Sequence, residues 1–137
     1  MTRIRFATLL AGVTFATASA TSLAAHHSIQ AQFDIHKSIT VSGTVAKVEW
    51  INPHSYLTLN VKAPDGKVEK WAFEMGAAAQ FRQNGLSRAD RGGMKAGDAV
   101  TVIALASRDG SNSGLVQELK MGDGRVFRLR PEPGQEK

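Results

Sequence analysis

The residues best suited to chemistry in this sequence are its four histidines, because the chain contains no cysteine. His26, His27 and His36 lie in one polar segment, and His54 follows an Asn-Pro dipeptide a short distance later. Imidazole nitrogens bind copper, zinc or nickel, and the absence of Cys excludes thiolate ligands, disulfides and cysteine nucleophiles. The clustering of all four histidines in one short part of the chain predicts a transition-metal site, with copper as the leading ligand.

His54 is expected at the lip of a sheet. Proline removes a backbone donor and disfavours helical geometry in the residue before it, so Asn52-Pro53 marks a turn between two apolar β-type runs. If the preceding polar segment folds over this edge, the metal ligands are His26, His27 and His54. Four further residues are candidates for the surroundings of the site: Trp50 as a shield, Asp34 or Glu74 to orient a ligand histidine through its second ring nitrogen, and Met75 at the rim.

These assignments have plainer alternatives. Aromatic residues and methionines on the strands of a small domain are usually core residues, and isolated carboxylates are usually solvated. The polar segment with its histidines can equally be a leader that binds nothing.

The N-terminus has the pattern of an export signal. Arg3 and Arg5 precede an apolar run, and a stretch of small residues, 16–25, ends just before His26. This pattern predicts a signal peptide over residues 1–25 and a periplasmic protein; the alternative is an N-terminal helix of the folded domain. Cleavage after Ala24 or Ala25 would place a free amine beside the first histidines, where both could chelate one metal ion.

The remaining chain is sized for one domain. We assign residues 26–38 to a His-rich arm, 39–130 to a β-barrel and 131–137 to a flexible tail. Of 17 basic and 12 acidic residues, Arg3 and Arg5 belong to the signal, which leaves 15 against 12 and a net charge of +3. This charge is too small, and by our interpretation too evenly spread, to indicate nucleic-acid binding. No other run is apolar enough to span a membrane.

The hydrophobic pattern from Ile39 onward has a period of two, which indicates strands. The pattern changes parity near Ala46-Lys47, and this predicts a β-bulge in a long first strand. Asp65-Gly66 predicts a tight hairpin. The pattern predicts three strands, one short helix over 77–83, and two or three further strands, the order expected of a mostly β, five- to six-stranded Greek-key barrel of the OB type.

The chain also resembles a family of small exported bacterial proteins known only as a domain of unknown function, DUF6152. The resemblance covers the whole chain after the signal, and it departs from the family at Leu86, where a tryptophan is expected. It is carried by motifs that occur in the following order: His26-His27-Ser28, Phe33-Asp34, Lys37, Gly43-Thr-Val45, Trp50-x-Asn-Pro-His54, Trp71-Ala-x-Glu74, Lys95-x-Gly-Asp98-x-Val-Thr-Val102 and Gly122-Asp-Gly-Arg125. The family name implies no activity. A weaker likeness, at the level of fold, is to periplasmic OB-type copper chaperones.

The sequence contains no nucleophile elbow, P-loop or dinucleotide fingerprint, so an enzyme is not the favoured interpretation. We predict a periplasmic binding protein that holds copper, or another transition metal, through the arm and the Trp-x-Asn-Pro-His turn. The alternative is a metal-free OB-like module that docks onto an envelope protein or a small ligand.

Overall fold

The computed structural model describes residues 29–130. The predicted signal peptide, its cleavage site, His26, His27 and the tail after Arg130 lie outside the described residues. Residues 29–32 are helical. The elements that follow are, in chain order, β1 (Phe33–Glu49), β2 (Tyr56–Lys62), β3 (Val68–Glu74), α1 (Ala78–Gln83), a 3-10 turn (Ala89–Arg91), β4 (Ala99–Ser107), β5 (Ser113–Met121) and β6 (Val126–Arg128). No helix within residues 29–130 has the length and hydropathy that a bilayer crossing requires.

The six strands form one sheet in the order β3-β2-β1-β4-β5-β6. All neighbours are antiparallel except β3 and β5, which pair in parallel and so close strands 1 to 5 into a ring. The helix α1 and the 3-10 turn occupy the connection between β3 and β4. The predicted OB-like Greek-key barrel is therefore confirmed, with β6 as an additional strand beside β5.

The strands are staggered around the ring. A path that steps from each residue to its partner on the next strand passes, in order, through Glu49, Tyr56, Glu74, Leu115, Leu105 and Ser38. The path thus begins and ends on β1, at positions 49 and 38, which differ by 11. A closed barrel requires such a stagger because its strands tilt relative to the axis.

The predicted bulge is present in β1. Val45 pairs with Leu59 and Lys47 with Thr58, so Ala46 is the extra residue. After the bulge, the other set of alternate residues faces the core, as the change of parity in the hydrophobic pattern predicts. β1 begins at Phe33, six positions before Ile39, because residues 33 and 34 already pair with the end of β4. Part of the segment that we had assigned to the arm therefore belongs to the strand.

The side chains inside the ring form the main core. Fully buried residues of all five barrel strands contribute, and Phe81 of α1 and Leu86 of the connector add to them. Leu86 is the position where the family resemblance led us to expect tryptophan, and a fully buried leucine occupies it here. Trp71 is partly buried against this core and stacks on Phe73 with a centroid distance of 5.9 Å.

A second, smaller cluster lies on the outside of the barrel. Leu105 has the opposite parity to the core residues Val102 and Ala104, and Leu115 directly precedes the core residue Val116, so both leucines face outward. Phe33 buries against them, and Ile29 and Ile35 pack onto the same cluster. The segment that leads into β1 therefore covers the outer face of β4 and β5.

Candidate metal-binding site

The connection between β1 and β2, residues 50–55, forms a corner at the rim of the barrel. Its backbone is bonded to the segment that joins β3 to α1 rather than to itself. The Ser55 amide donates to the Gly76 carbonyl at 2.9 Å, and the Met75 amide donates to the Ser55 carbonyl at 2.8 Å. Ser55 is fully buried, and its hydroxyl donates to the Ile51 carbonyl at 3.2 Å. Because these groups are inside the protein and paired, the corner has one well-defined position.

Asn52 and Trp50 fix the corner to α1. The Ala78 amide donates both to the Ile51 carbonyl, at 3.3 Å, and to the Asn52 side-chain oxygen, at 3.2 Å. The ring of Trp50 packs against Phe81, with centroids 5.4 Å apart and planes tilted by 45°. The Asn52–Pro53 peptide bond is cis. These contacts account for the residues of the Trp-x-Asn-Pro-His motif that precede its histidine.

His54 contacts Glu74, the last residue of β3. Its Nδ1 atom lies 2.7 Å from Oε1 of Glu74, and the two side chains are 46% and 14% exposed. Glu74 pairs with Tyr56 across the sheet, so the ladder between β2 and β3 determines where its carboxylate stands. The contact occupies Nδ1, so Nε2 is the ring nitrogen that remains for a ligand. A carboxylate on the far nitrogen is the usual companion of a metal-binding histidine.

Arg130 provides a positive charge close to this pair. Its Nη1 atom donates to the Val116 carbonyl at 2.9 Å, one residue beyond Leu115, the neighbour of Glu74 across the sheet. Burial lowers the pKa of Arg130, and the carboxylate of Glu74 acts in the opposite direction by favouring the charged guanidinium. Sequence reasoning missed this residue, since an arginine after a short final strand has no spacing signal that connects it to residue 74.

The described start of the arm packs on the outer cluster of β4 and β5. Leu115, which the arm covers, is the direct neighbour of Glu74 on the adjacent strand. Ile29 packs onto this cluster, and His27 precedes it by two positions in the sequence. The described start of the arm is also bonded to the β4–β5 loop, where the Arg108 amide donates to the Gln32 carbonyl at 2.9 Å and Arg108 Nε donates to the Gln30 carbonyl at 2.6 Å.

The other predicted residues lie elsewhere. The Asp34 carboxylate accepts a hydrogen bond from the His36 amide at 3.0 Å, in a local turn. His36 is exposed, and Met75 is fully buried in the main core. Within residues 29–130 no group of three or more His, Asp or Glu side chains is placed to hold a metal ion. Of the two candidate carboxylates, the structure brings Glu74 to His54.

A family profile matches residues 14–118 of the chain, which is most of its length. The chain belongs to the family of unknown function DUF6152. The matched range includes His26, His27, His54 and Glu74 but ends before Arg130. No curated protein matches the chain. The family assignment carries no activity with it, so the chemistry has to be argued from the site.

Proposed function

We propose that this protein is a small exported binding protein that holds a transition-metal ion, copper in the first place, at the rim beside His54. Contact between His54 and Glu74 is the observation that carries the proposal. A neutral imidazole with its Nδ1 proton directed to a carboxylate presents the lone pair of Nε2, which is the donor that copper and zinc take from histidine. The exposed side chain of His54 gives an ion access to it.

One imidazole does not make a site of useful affinity, so further ligands are required. We propose that they are His26 and His27, supplied by the arm. Two residues of extended chain span about 7 Å, and neighbouring strands lie about 4.8 Å apart. The packing of Ile29 on the cluster that includes Leu115 is therefore compatible with His27 reaching the rim beside Glu74. The predicted cleavage at residue 24 or 25 would add the terminal amine as a ligand, in the periplasm.

The test is a calorimetric titration with Cu(II) of protein isolated from the periplasm, with its first residue established by intact mass. His54→Ala should weaken binding by at least about tenfold, because a direct ligand is lost. His36→Ala is the matched control, since it removes an exposed imidazole of the same arm and should leave the affinity unchanged. A variant that begins at Ser28 tests the arm separately. Copper binding unaffected by both His54→Ala and the truncation would exclude the shared site.

A metal-free docking module is the second candidate function. Exposed apolar side chains at the same rim support it. Ile51 and Tyr56 are 49% and 40% exposed beside the corner. Exposed apolar side chains at one edge are typical of a contact surface. A protein that is isolated from the periplasm without metal, and that does not bind Cu(II), Zn(II) or Ni(II) in the titration, would favour this function over metal binding.

A further inference from the structure

Part of the connection between β3 and β4 carries an excess of positive charge. Residues 29–130 contain 14 basic and 10 acidic side chains, and residues 78–97 contain four basic and one acidic. The rest of the described chain is thus nearly balanced, with ten basic against nine acidic residues. A second excess lies in residues 125–130, which contain three basic and no acidic side chains.

Three arginines of this connection face one open groove. Arg82 extends from α1, Arg88 precedes the 3-10 turn and Arg91 is its last residue, and Trp50 and Asn52 also line the groove. The groove has a volume of about 710 Å³, and no carboxylate lines it. Arg88 pairs with Asp90 at 2.6 Å just outside. Within residues 29–130, Arg82 and Arg91 form no ion pair.

We propose that this groove binds an acidic segment of a partner protein, with carboxylates on Arg82 and Arg91 and an apolar side chain on Trp50. Guanidinium groups match carboxylates in a two-bond geometry, which gives both attraction and orientation. The indole of Trp50 is only partly buried, and aromatic rings flanked by arginine are typical centres of protein contacts. The two arginines are exposed, so a partner can reach them.

The shape of the groove favours a peptide over other anions. A small anionic ligand is normally held in a pocket that encloses most of its surface, whereas this groove is partly open to solvent. A lipid surface would require apolar side chains that protrude, and Trp50 lies at the side of a concavity with its ring against Phe81. An extended chain with alternating carboxylates and an apolar residue fits both the shape and the charge. This inference does not rest on the metal site.

The experiment measures fluorescence anisotropy of a short labelled peptide rich in Glu with a central Leu, in the presence of a chelator. Its counterpart with Gln in place of every Glu is the neutral probe. The purified protein should bind the acidic peptide and not the neutral one, and the affinity should decrease as the salt concentration rises. Arg82→Gln with Arg91→Gln should weaken binding by at least about threefold, given the modest free energy of each exposed charge pair.

The control removes the same net charge elsewhere. Lys62 and Lys67 are exposed at the distant β2–β3 hairpin, and Lys62→Gln with Lys67→Gln should change the affinity by less than about twofold. Equal losses in the two double variants would overturn the proposal, because they would show attraction to net charge alone. Binding to vesicles with anionic headgroups that depends on Arg82 and Arg91, without binding to the peptide, would also overturn it and would assign the groove to a membrane surface.

Discussion

Two turns of this barrel contain proline and have very different surroundings. The hairpin between β2 and β3 satisfies its polar groups within itself. The Ala63 amide donates to the Lys67 carbonyl at 2.8 Å, and the Asp65 carboxylate accepts from the Lys67 amide at 3.0 Å. Gly66 has a φ of 86°, and a side chain there would meet no other atom within 4 Å. The hairpin connects two strands and contacts little else.

The corner between β1 and β2 differs in that its polar groups depend on a remote segment. Asn52, Ser55 and the Ile51 carbonyl all bond with residues 75–78 or within the buried part of the corner. This dependence holds His54 against Glu74. The comparison teaches that a turn fixed by distant partners can position a reactive side chain accurately, whereas a self-sufficient turn only reverses the chain. Four predictions test this difference.

The largest expected effect is on stability. Phe81→Ala removes a fully buried ring that packs on Trp50, and it should lower the free energy of unfolding by about 3–5 kcal/mol. Urea denaturation followed by circular dichroism measures it. Val68→Ala, at the hairpin and 64% exposed, is the control and should change stability by less than about 0.5 kcal/mol. A loss below about 1 kcal/mol for Phe81→Ala would mean that α1 does not anchor the corner.

The second prediction concerns the partner of His54. Glu74→Ala should weaken copper binding by about 10–100-fold, because the carboxylate orients the ring and increases the basicity of Nε2. Glu74→Gln keeps an oxygen acceptor for Nδ1 and should lose less. The matched control is Glu69→Ala, which removes another carboxylate from the same strand, near the hairpin. Titration of the three variants with Cu(II) measures their affinities. Equal affinities for Glu74→Ala and Glu69→Ala would show that the contact with His54 has no role in binding.

Features with a local physical cause were predictable from the sequence. Asp65-Gly66 specified its hairpin, the change of parity specified the bulge at Ala46, and Asn52-Pro53 specified an edge position for His54. Each depends on backbone preferences or on the period-two pattern within a few residues. The OB-like order of elements followed from the same patterns once the single helix was recognised.

Features that depend on the register of distant strands were not predictable. Asp34 and Glu74 were equal candidates in the sequence, and only the pairing of β2 with β3 places Glu74 next to the corner. The start of β1 at Phe33 was missed because residues 35–37 interrupt the pairing and hide its period. Arg130 lies near Glu74 because the parallel pairing of β3 and β5 joins segments that are far apart in the chain.

The third prediction compares the two turns directly. Asn52→Ala removes one of the two acceptors of the Ala78 amide, and it should destabilise the protein by about 1 kcal/mol, as the loss of one ordered hydrogen bond usually does. Asp65→Ala removes the corresponding side-chain acceptor in the exposed hairpin and should cost less, about 0.5 kcal/mol. Urea denaturation gives both values. In addition, only Asn52→Ala should weaken copper binding, since only the corner carries His54. A larger effect of Asp65→Ala on stability or on copper binding would contradict the proposed difference between the two turns.

The smallest effect is expected in a third loop, between β4 and β5, which also satisfies its own polar groups. The Asp109 carboxylate accepts from the Ser107 hydroxyl at 2.7 Å and from the Ser111 amide at 2.9 Å. The Ser111 side chain, the Ser111 amide and the Ser107 hydroxyl, in that order, lower the pKa of Asp109 from its ordinary 3.8 to about 2. Because the folded value lies below the unfolded one, the contribution of Asp109 to stability is complete above about 4 and is lost as the pH falls towards 2.

Asp109 is fully exposed, so this loss should open only the loop and leave the barrel folded. A carboxyl titration followed by carbon NMR should place the Asp109 midpoint near 2, and Ser107→Ala should raise it, because one of the bonds to the ionised form is removed. The signals of His54 and its neighbours should be unaffected by this substitution, as expected if the loop and the corner are independent. A midpoint close to the ordinary value of 3.8 would show that the loop is not held by its own hydrogen bonds, and the contrast with the corner would then rest on the hairpin alone.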